Sequence, residues 1–190
     1  MESLPELTKF PTRHPASCAS LSLPLVDLLD AVLPPPPRVT LSIGSGPGLL
    51  EALLLFHHPH RASANPVSLY GVEVDTPGCA APVNRFLPEP NVAVVPGTWA
   101  VAREAAAEAA EGLLFVYPRQ PALMRTYLLR RANVHVAVWI GPKCDLDEFT
   151  APLREWGIED VNFGGRFPVL VEEGEAAVVF RRRGLSAAAS

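Results

Sequence analysis

The chain has 190 residues, a formal net charge of −4 at pH 7 and a composition that is 48% hydrophobic, which is enough to form one folded domain without disulfides or a structural metal. Neither a signal-peptide pattern nor an apolar run of membrane-spanning length is present, so we predict a cytoplasmic protein with no membrane partner. The mild acidity also predicts no nucleic-acid partner, because such surfaces normally carry a basic stripe.

Helices and strands alternate along most of the chain. Leu21–Leu33 has apolar residues on one side and precedes four prolines, which predicts a helix that ends there. Further helices are predicted from the glycine-rich segment 44–48 to Phe56 and at Trp99–Glu111, Pro121–Arg131 and Asp145–Trp156. Strands are predicted at 38–43, 67–73, 91–95, 113–117 and 134–140.

The last part of the chain breaks this alternation. Two strands are predicted at 158–163 and 176–182, with a glycine-rich acidic loop and no helix between them. Parallel neighbours need a crossover of a dozen or more residues, so this pair is predicted to be an antiparallel hairpin. The result is an α/β domain over residues 21–183, preceded by a proline-rich arm at 1–20, which is a possible lid, and followed by a disordered tail at 184–190.

The segment Gly44-Ser45-Gly46-Pro47-Gly48 lies where the first strand turns into a helix. Glycine allows a tight turn there and lets a ligand approach the backbone, while the amides at the start of the next helix remain available to it. A dinucleotide fingerprint would need glycine at position 49, which is Leu, and no Gly-Lys-Ser/Thr of a P-loop follows. The spacing therefore favours a different nucleotide-type cofactor.

The second predicted strand ends in the acids Glu73 and Asp75, about 25 residues beyond the loop, where a ribose-binding acid is expected in a βαβ unit. Glu73 is the first candidate and Asp75 the alternative. A competing interpretation is that both acids only cap the next turn.

Ile43-Gly-Ser-Gly-Pro-Gly48, the acid Glu73 and the C-terminal hairpin together resemble the class I S-adenosylmethionine-dependent methyltransferases. The resemblance implies a Rossmann-like three-layer sandwich with a mostly parallel seven-stranded sheet, and S-adenosyl-L-methionine as the cofactor. It also implies methyl transfer to a small-molecule acceptor. The implied cofactor-binding residues are Gly44, Ser45, Gly46, Gly48, Glu73, Thr98 and Trp99.

Two segments of the chain depart from the pattern of this family. Ser42 stands on the first strand where an acid is frequent, and Thr98 and Trp99 follow the third strand where an Asp often binds adenine. Thr98 retains hydrogen-bonding capacity, and Trp99 either packs on the adenine or packs on the sheet as an ordinary hydrophobe.

Tyr117, Arg119 and His14 are the predicted catalytic residues. Tyr117 and Arg119 belong to the loop after the fourth strand, which lies beside the methyl group in the resembled fold and here lacks the Asn/Asp-Pro-Pro-Tyr/Phe signature. Tyr117 acts as a base only if its pKa is lowered, Arg119 holds an anionic substrate, and His14 of the arm acts as a base near neutral pH. The competing interpretation leaves all three in solvent.

The run His57-His-Pro-His60 is not predicted to bind a metal, because proline interrupts it and no acid or cysteine is close in sequence. Two alternatives to an active methyltransferase remain. One is a methyltransferase-like partner protein with weak or no cofactor binding, and the other is a nicotinamide oxidoreductase, which Leu49 and the hairpin disfavour.

Overall fold

A computed structural model of the protein describes residues 3–62, 68–74, 83–103, 105–161 and 169–184. Within these residues, seven strands form one sheet in the order β3-β2-β1-β4-β5-β7-β6. The strands are β1 (Val39–Ile43), β2 (Leu69–Val74), β3 (Val92–Val95), β4 (Ala110–Val116), β5 (Val136–Pro142), β6 (Gly157–Glu159) and β7 (Glu175–Arg182). Strands β1 to β5 are parallel, and β7 runs antiparallel to both β5 and β6. The predicted mostly parallel sheet with a C-terminal antiparallel hairpin is confirmed.

Helices cover both faces of the sheet. They are α1 (Leu23–Val32), α2 (Leu49–His57), α3 (Pro59–Ala62), α4 (Ala105–Glu108), α5 (Pro121–Arg130) and α6 (Leu146–Trp156), with short 3-10 turns at Glu89–Asn91 and Lys143–Asp145. Apolar residues of α1 and α2 pack on one face, and those of α5 and α6 pack on the other. The fold is therefore a three-layer sandwich.

Strand β4 shows why this sheet is buried on both faces. Leu114 packs with the α1 and α2 side, whereas its neighbours Leu113 and Phe115 pack with the α5 and α6 side. All three side chains are fully buried. A continuous apolar run without alternation is the pattern expected of such a central strand.

The predicted helix over Trp99–Glu111 is wrong. The described residues contain only one helical turn there, α4, and Ala110 already begins β4 by pairing with Val39. Alanine favours a helix by only a few tenths of a kcal/mol per residue, and tertiary pairing with a buried strand overrides such a preference. In addition, α3 begins at Pro59, between the predicted helix that ends at Phe56 and the predicted strand at 67–73, where no helix was predicted.

Some predictions fall on residues outside the described ranges. They include the alternative acid Asp75, the end of the predicted strand at 162–163 and the tail at 185–190. Among the helices that are described, none is long and apolar enough to cross a bilayer.

Candidate cofactor and active site

A cavity of about 450 Å³ opens at the carboxyl ends of the parallel strands. It is lined by residues at or after the ends of β1, β2, β3 and β4, and by Cys18 of the N-terminal arm. Open α/β sheets bind ligands in this crevice, and the volume is that of a small-molecule site.

The glycine loop forms one wall of the cavity. Gly44 and Gly46 line it with φ angles of +78° and +56°, and a Cβ added at either would meet no atom within 4 Å. Gly48, at φ +81°, directly precedes α2, and a Cβ there would come 2.8 Å from Asn84 Oδ1. The Ser45 side chain packs beside Gly71 on β2. Gly44 and Gly46 are thus the loop residues that face the cavity.

Glu73 lies at the end of β2, lines the cavity and contacts this loop directly. Its Oε2 accepts a hydrogen bond from the Gly46 amide at 2.6 Å, and its Oε1 accepts one from the Val74 amide at 2.9 Å. The structure therefore brings together the predicted acid and the predicted glycine loop. A carboxylate in this position has remaining lone pairs for ligand hydroxyls.

A second carboxylate, Glu51, lies buried below the loop in the first turn of α2. Its Oε1 accepts a hydrogen bond from the Ser42 hydroxyl at 2.5 Å. Burial raises the pKa of Glu51 to about 7, and the Ser42 hydrogen bond offsets part of that rise. Sequence reasoning missed this residue, although a single acid within the apolar run 49–55 was a visible signal.

Tyr117 directly follows β4 and, among the described residues, is the one non-glycine with a positive φ, at +49°. Its hydroxyl donates a hydrogen bond to Glu175. Burial, together with this hydrogen bond, raises the pKa of Tyr117 to about 12. The lowered pKa that a role as a base requires is not found, and Tyr117 is instead a hydrogen-bond donor to Glu175. Its place in catalysis stays a prediction.

Glu175, the first residue of β7, joins the arm to the cavity mouth. It is 2% exposed, and it accepts hydrogen bonds from the Ser20 amide and hydroxyl in addition to Tyr117. Arg13 Nη1 lies 3.2 Å from its carboxylate, and Arg13 Nε donates to Glu172 at 2.7 Å. The arm is thereby fixed next to the loop that follows β4. No sequence pattern indicated this role.

Of the remaining predicted residues, two line the cavity and two do not. Arg119 and Thr98 line the cavity, and Arg119 has no ion pair with any residue that the structure describes. Trp99 is 74% exposed and lines an adjacent groove, with its ring close to Gly97. His14 Nδ1 accepts a hydrogen bond from the Ala16 amide at 3.1 Å, in a turn of the arm, and His14 does not line the cavity.

No protein-family model matches the sequence, and no curated protein matches it. Among solved structures, a dimethyladenosine transferase from Plasmodium falciparum matches with a TM-score of 0.51 and 14% identity, over 86% of this chain and 62% of that chain. The fold is that of the class I methyltransferases.

Two further matches have lower scores. The S-adenosylmethionine-dependent methyltransferase SibL in its apo form has a TM-score of 0.47 and 15% identity, over 76% of this chain and 50% of that chain. The 23S rRNA methyltransferase ErmE has a TM-score of 0.44 and 15% identity, over 92% of this chain and 70% of that chain. The chain thus spans half the length of SibL and 62% of the dimethyladenosine transferase.

The prediction that nucleic acid is excluded as a partner was wrong. This fold also occurs in a protein named a dimethyladenosine transferase. A formal net charge of −4 averages over the whole chain, whereas nucleic-acid binding depends on the local charge of one surface.

Proposed function

We propose that the protein binds S-adenosylmethionine in the 450 Å³ cavity and transfers a methyl group to a small-molecule acceptor. The observation that carries the proposal is the contact of Glu73 with the Gly46 amide, at the carboxyl edge of a sheet with the class I methyltransferase strand order. When bound, the cofactor supplies an electrophilic methyl group on a sulfonium.

The residues of the cavity fit the polar parts of such a cofactor. The Glu73 carboxylate would accept hydrogen bonds from ribose hydroxyls, each worth roughly 1.5–3 kcal/mol because the acceptor is charged. The Gly44 and Gly46 backbone leaves open space toward the ligand, and no side chain caps the first turn of α2, which directly follows this loop and would favour a nearby carboxylate group. Thr98 is available for a hydrogen bond to the base.

The acceptor would bind between the arm and the loop Tyr117–Gln120. Cys18 of the arm lines the cavity together with Arg119, and Glu175 holds the arm in this position. Because the mouth is bordered by the arm, it favours an acceptor of small size, and the unpaired Arg119 guanidinium favours an anionic one. Catalysis would come mainly from fixing the acceptor in line with the methyl group and excluding water.

The competing function is a methyltransferase-like partner protein. Ser42 in place of an acid on β1 and the engagement of Tyr117 by Glu175 favour it. The two functions differ first in cofactor affinity and then in turnover, so one pair of experiments separates them.

Isothermal titration of the full chain with S-adenosylmethionine, S-adenosylhomocysteine and NAD tests the cofactor. We expect the first two to bind at one site, Glu73→Ala to weaken both, and the control Glu159→Ala, an exposed acid on β6, to leave them unchanged. Binding of NAD alone, or of no ligand, would overturn the cofactor proposal.

A second assay follows transfer of a labelled methyl group to amines, phenols, carboxylates, thiols and RNA. Labelling of a small molecule supports the proposed acceptor class, and labelling of RNA alone would overturn it. Cofactor binding without any transfer would favour the partner protein.

A further inference from the structure

A second cluster of polar side chains lies at the end of α2 that is remote from the cofactor cavity. The glycine loop precedes α2, whereas His57 ends it, and a nine-residue helix is about 13 Å long. His58 and His60 follow, and the packing of α1 against α2 brings Asp27 and Asp30 of α1 next to them.

The distances in this cluster are those between ligands of one small cation. His58 Nδ1 lies 3.2 Å from Asp30 Oδ2, and His60 Nε2 lies 3.1 Å from Asp30 Oδ1. One ligand atom from each of the three residues lies within 4.8 Å of the other two. In a tetrahedral zinc site with bonds of about 2.0–2.1 Å, ligand atoms are about 3.3 Å apart. His58 faces Oδ2 and His60 faces Oδ1, so a small rotation of the Asp30 carboxylate or of His60 would bring one ligand atom from each residue to this spacing.

Asp27 lies next to His58 in the position that a carboxylate often has beside a metal-bound histidine. The carboxylate of Asp27 lies 3.4 Å from the second nitrogen of His58, Nε2, which is buried and has no aligned hydrogen-bond partner among the described residues. A carboxylate next to the distal nitrogen of a ligating imidazole fixes its tautomer and increases its basicity. His58 thus has one nitrogen for a metal and one for Asp27.

Arg61 fixes the carboxylate of Asp30. The Arg61 side chain is 2% exposed, and its Nε donates to Asp30 Oδ1 at 2.5 Å. Its other nitrogens donate to the backbone carbonyls of Asp30, Leu33 and Pro34 at the end of α1. The Arg61 Nε hydrogen bond goes to Asp30 Oδ1, whereas His58 lies next to Oδ2. Asp30 Oδ2 therefore remains available for a cation.

We propose that Asp30, His58 and His60 bind one Zn²⁺ ion, with water in the fourth position. Two imidazoles and one carboxylate suit zinc, whereas Mg²⁺ and Ca²⁺ prefer oxygen ligands throughout. The ion would join α1 to the corner between α2 and α3 and would take no part in chemistry at the distant cavity. No metal was predicted here because no acid lies close to these histidines in sequence. Both aspartates come from α1, which the fold brings next to them.

Titration of the full chain with Zn²⁺ after removal of metals by a chelator tests this site. We expect one ion per chain, and Co²⁺ in its place should give visible absorption without the charge-transfer bands of thiolate ligands. His60→Ala should weaken Zn²⁺ binding at least tenfold, and its 54% exposed side chain makes misfolding easy to avoid and easy to check by circular dichroism. Asp27→Asn should weaken it about 10- to 100-fold by releasing His58.

His57→Ala is the matched control, because His57 is an adjacent histidine on α2 outside the cluster. It should bind Zn²⁺ as the wild type does and should gain the same increase in melting temperature from the ion. Equal binding by wild type and His60→Ala would overturn the proposal, as would a lack of saturable binding in the wild type. Thiolate bands with Co²⁺ would place the ion at a cysteine of the chain instead, and would also overturn it.

Discussion

The Ser42 hydroxyl donates a hydrogen bond to Glu51 Oε1 at 2.5 Å, joining β1 to α2 under the glycine loop. Ser42 occupies the strand position where the resembled family often has an acid, so in this chain the buried carboxylate comes from the helix instead. Glu51 is 1% exposed, and its second oxygen, Oε2, has no hydrogen-bond partner among the described residues. A half-satisfied buried carboxylate makes the region below the cofactor loop sensitive to pH.

We expect the free energy of unfolding to carry a contribution from Glu51 that falls as the pH rises. Burial raises its pKa from 4.5 to about 7, so between these values the folded state binds the proton more tightly than the unfolded state. The contribution is therefore fully present below about pH 4.5 and is lost by about pH 7, with a total on the order of 3 kcal/mol. Urea unfolding from pH 5 to 8 measures it.

Glu51→Gln is the variant that isolates this contribution. It cannot ionise, so its stability relative to the wild type should increase by up to the same 3 kcal/mol across that range. The other titrating groups are common to both proteins and cancel in the difference. Parallel pH profiles for the two proteins would contradict the assignment of the raised pKa to Glu51.

Replacing Gly46 by valine should abolish cofactor binding. Gly46 has a φ of +56° and faces open space in the cavity, so a side chain there would occupy the ligand volume. Gly184→Val is a matched control, because Gly184 has a φ of +84°, is also open and lies after β7. In each variant the free energy of unfolding should fall by about 1–2 kcal/mol, because valine is strained in the left-handed backbone conformation. Only Gly46→Val should fail to bind S-adenosylmethionine when binding is measured by calorimetry.

Short-range sequence patterns predicted the features of the fold that depend on neighbouring residues. The alternation of β1 and the glycines that follow it predicted a loop of which Gly44 and Gly46 indeed line the cavity, because turn conformation and strand ends depend on local residue types. The missing crossover helix before β7 predicted its antiparallel pairing for a similar reason, since chain length limits how neighbouring strands connect.

Features that depend on distant pairs could not be predicted in this way. Glu175 accepts hydrogen bonds from Ser20, which lies 155 residues earlier in the chain. Asp30 and His58 are in contact only because α1 packs on α2. The alanine-rich segment before β4 gave a strong helix signal that was wrong, because pairing of Ala110 with β1 decides the conformation there. Local propensity carries no information about such a partner.

Tyr117→Phe should retain turnover to within about tenfold and should leave the pH dependence of kcat unchanged between pH 7 and 9. The pKa of about 12 keeps the phenol protonated over this range, so Tyr117 does not supply a base. The variant should instead lose about 1–3 kcal/mol of stability, because the buried Glu175 carboxylate loses a donor. A loss of kcat by a factor of about 100 or more, together with a changed pH profile, would restore the role as a base.

Arg119→Ala should raise the KM of an anionic acceptor and leave that of a neutral acceptor unchanged. Arg119 lines the cavity without a carboxylate partner among the described residues, so its charge is available to a ligand. Arg119→Lys keeps the charge but not the bidentate geometry and should give an intermediate KM. Equal effects on charged and neutral acceptors would show that Arg119 acts through the shape of the loop.

Arg13→Ala should loosen the arm and lower turnover while leaving cofactor affinity unchanged. Arg13 pairs with both Glu172 and Glu175, and these contacts hold the arm beside the cavity mouth. Arg125→Ala is the matched control, because Arg125 has a similar exposure and pairs with Glu155 between α5 and α6, on the face of the sheet opposite to the arm. Tryptic cleavage after Lys9 should become faster only in Arg13→Ala, and kcat should fall only there.

Deleting residues 1–16 should lower kcat further and also cost stability, because Ala16 is buried against the core. If Arg13→Ala and the deletion both retain full turnover, the arm does not close the site, and the acceptor is bound by the loop after β4 alone.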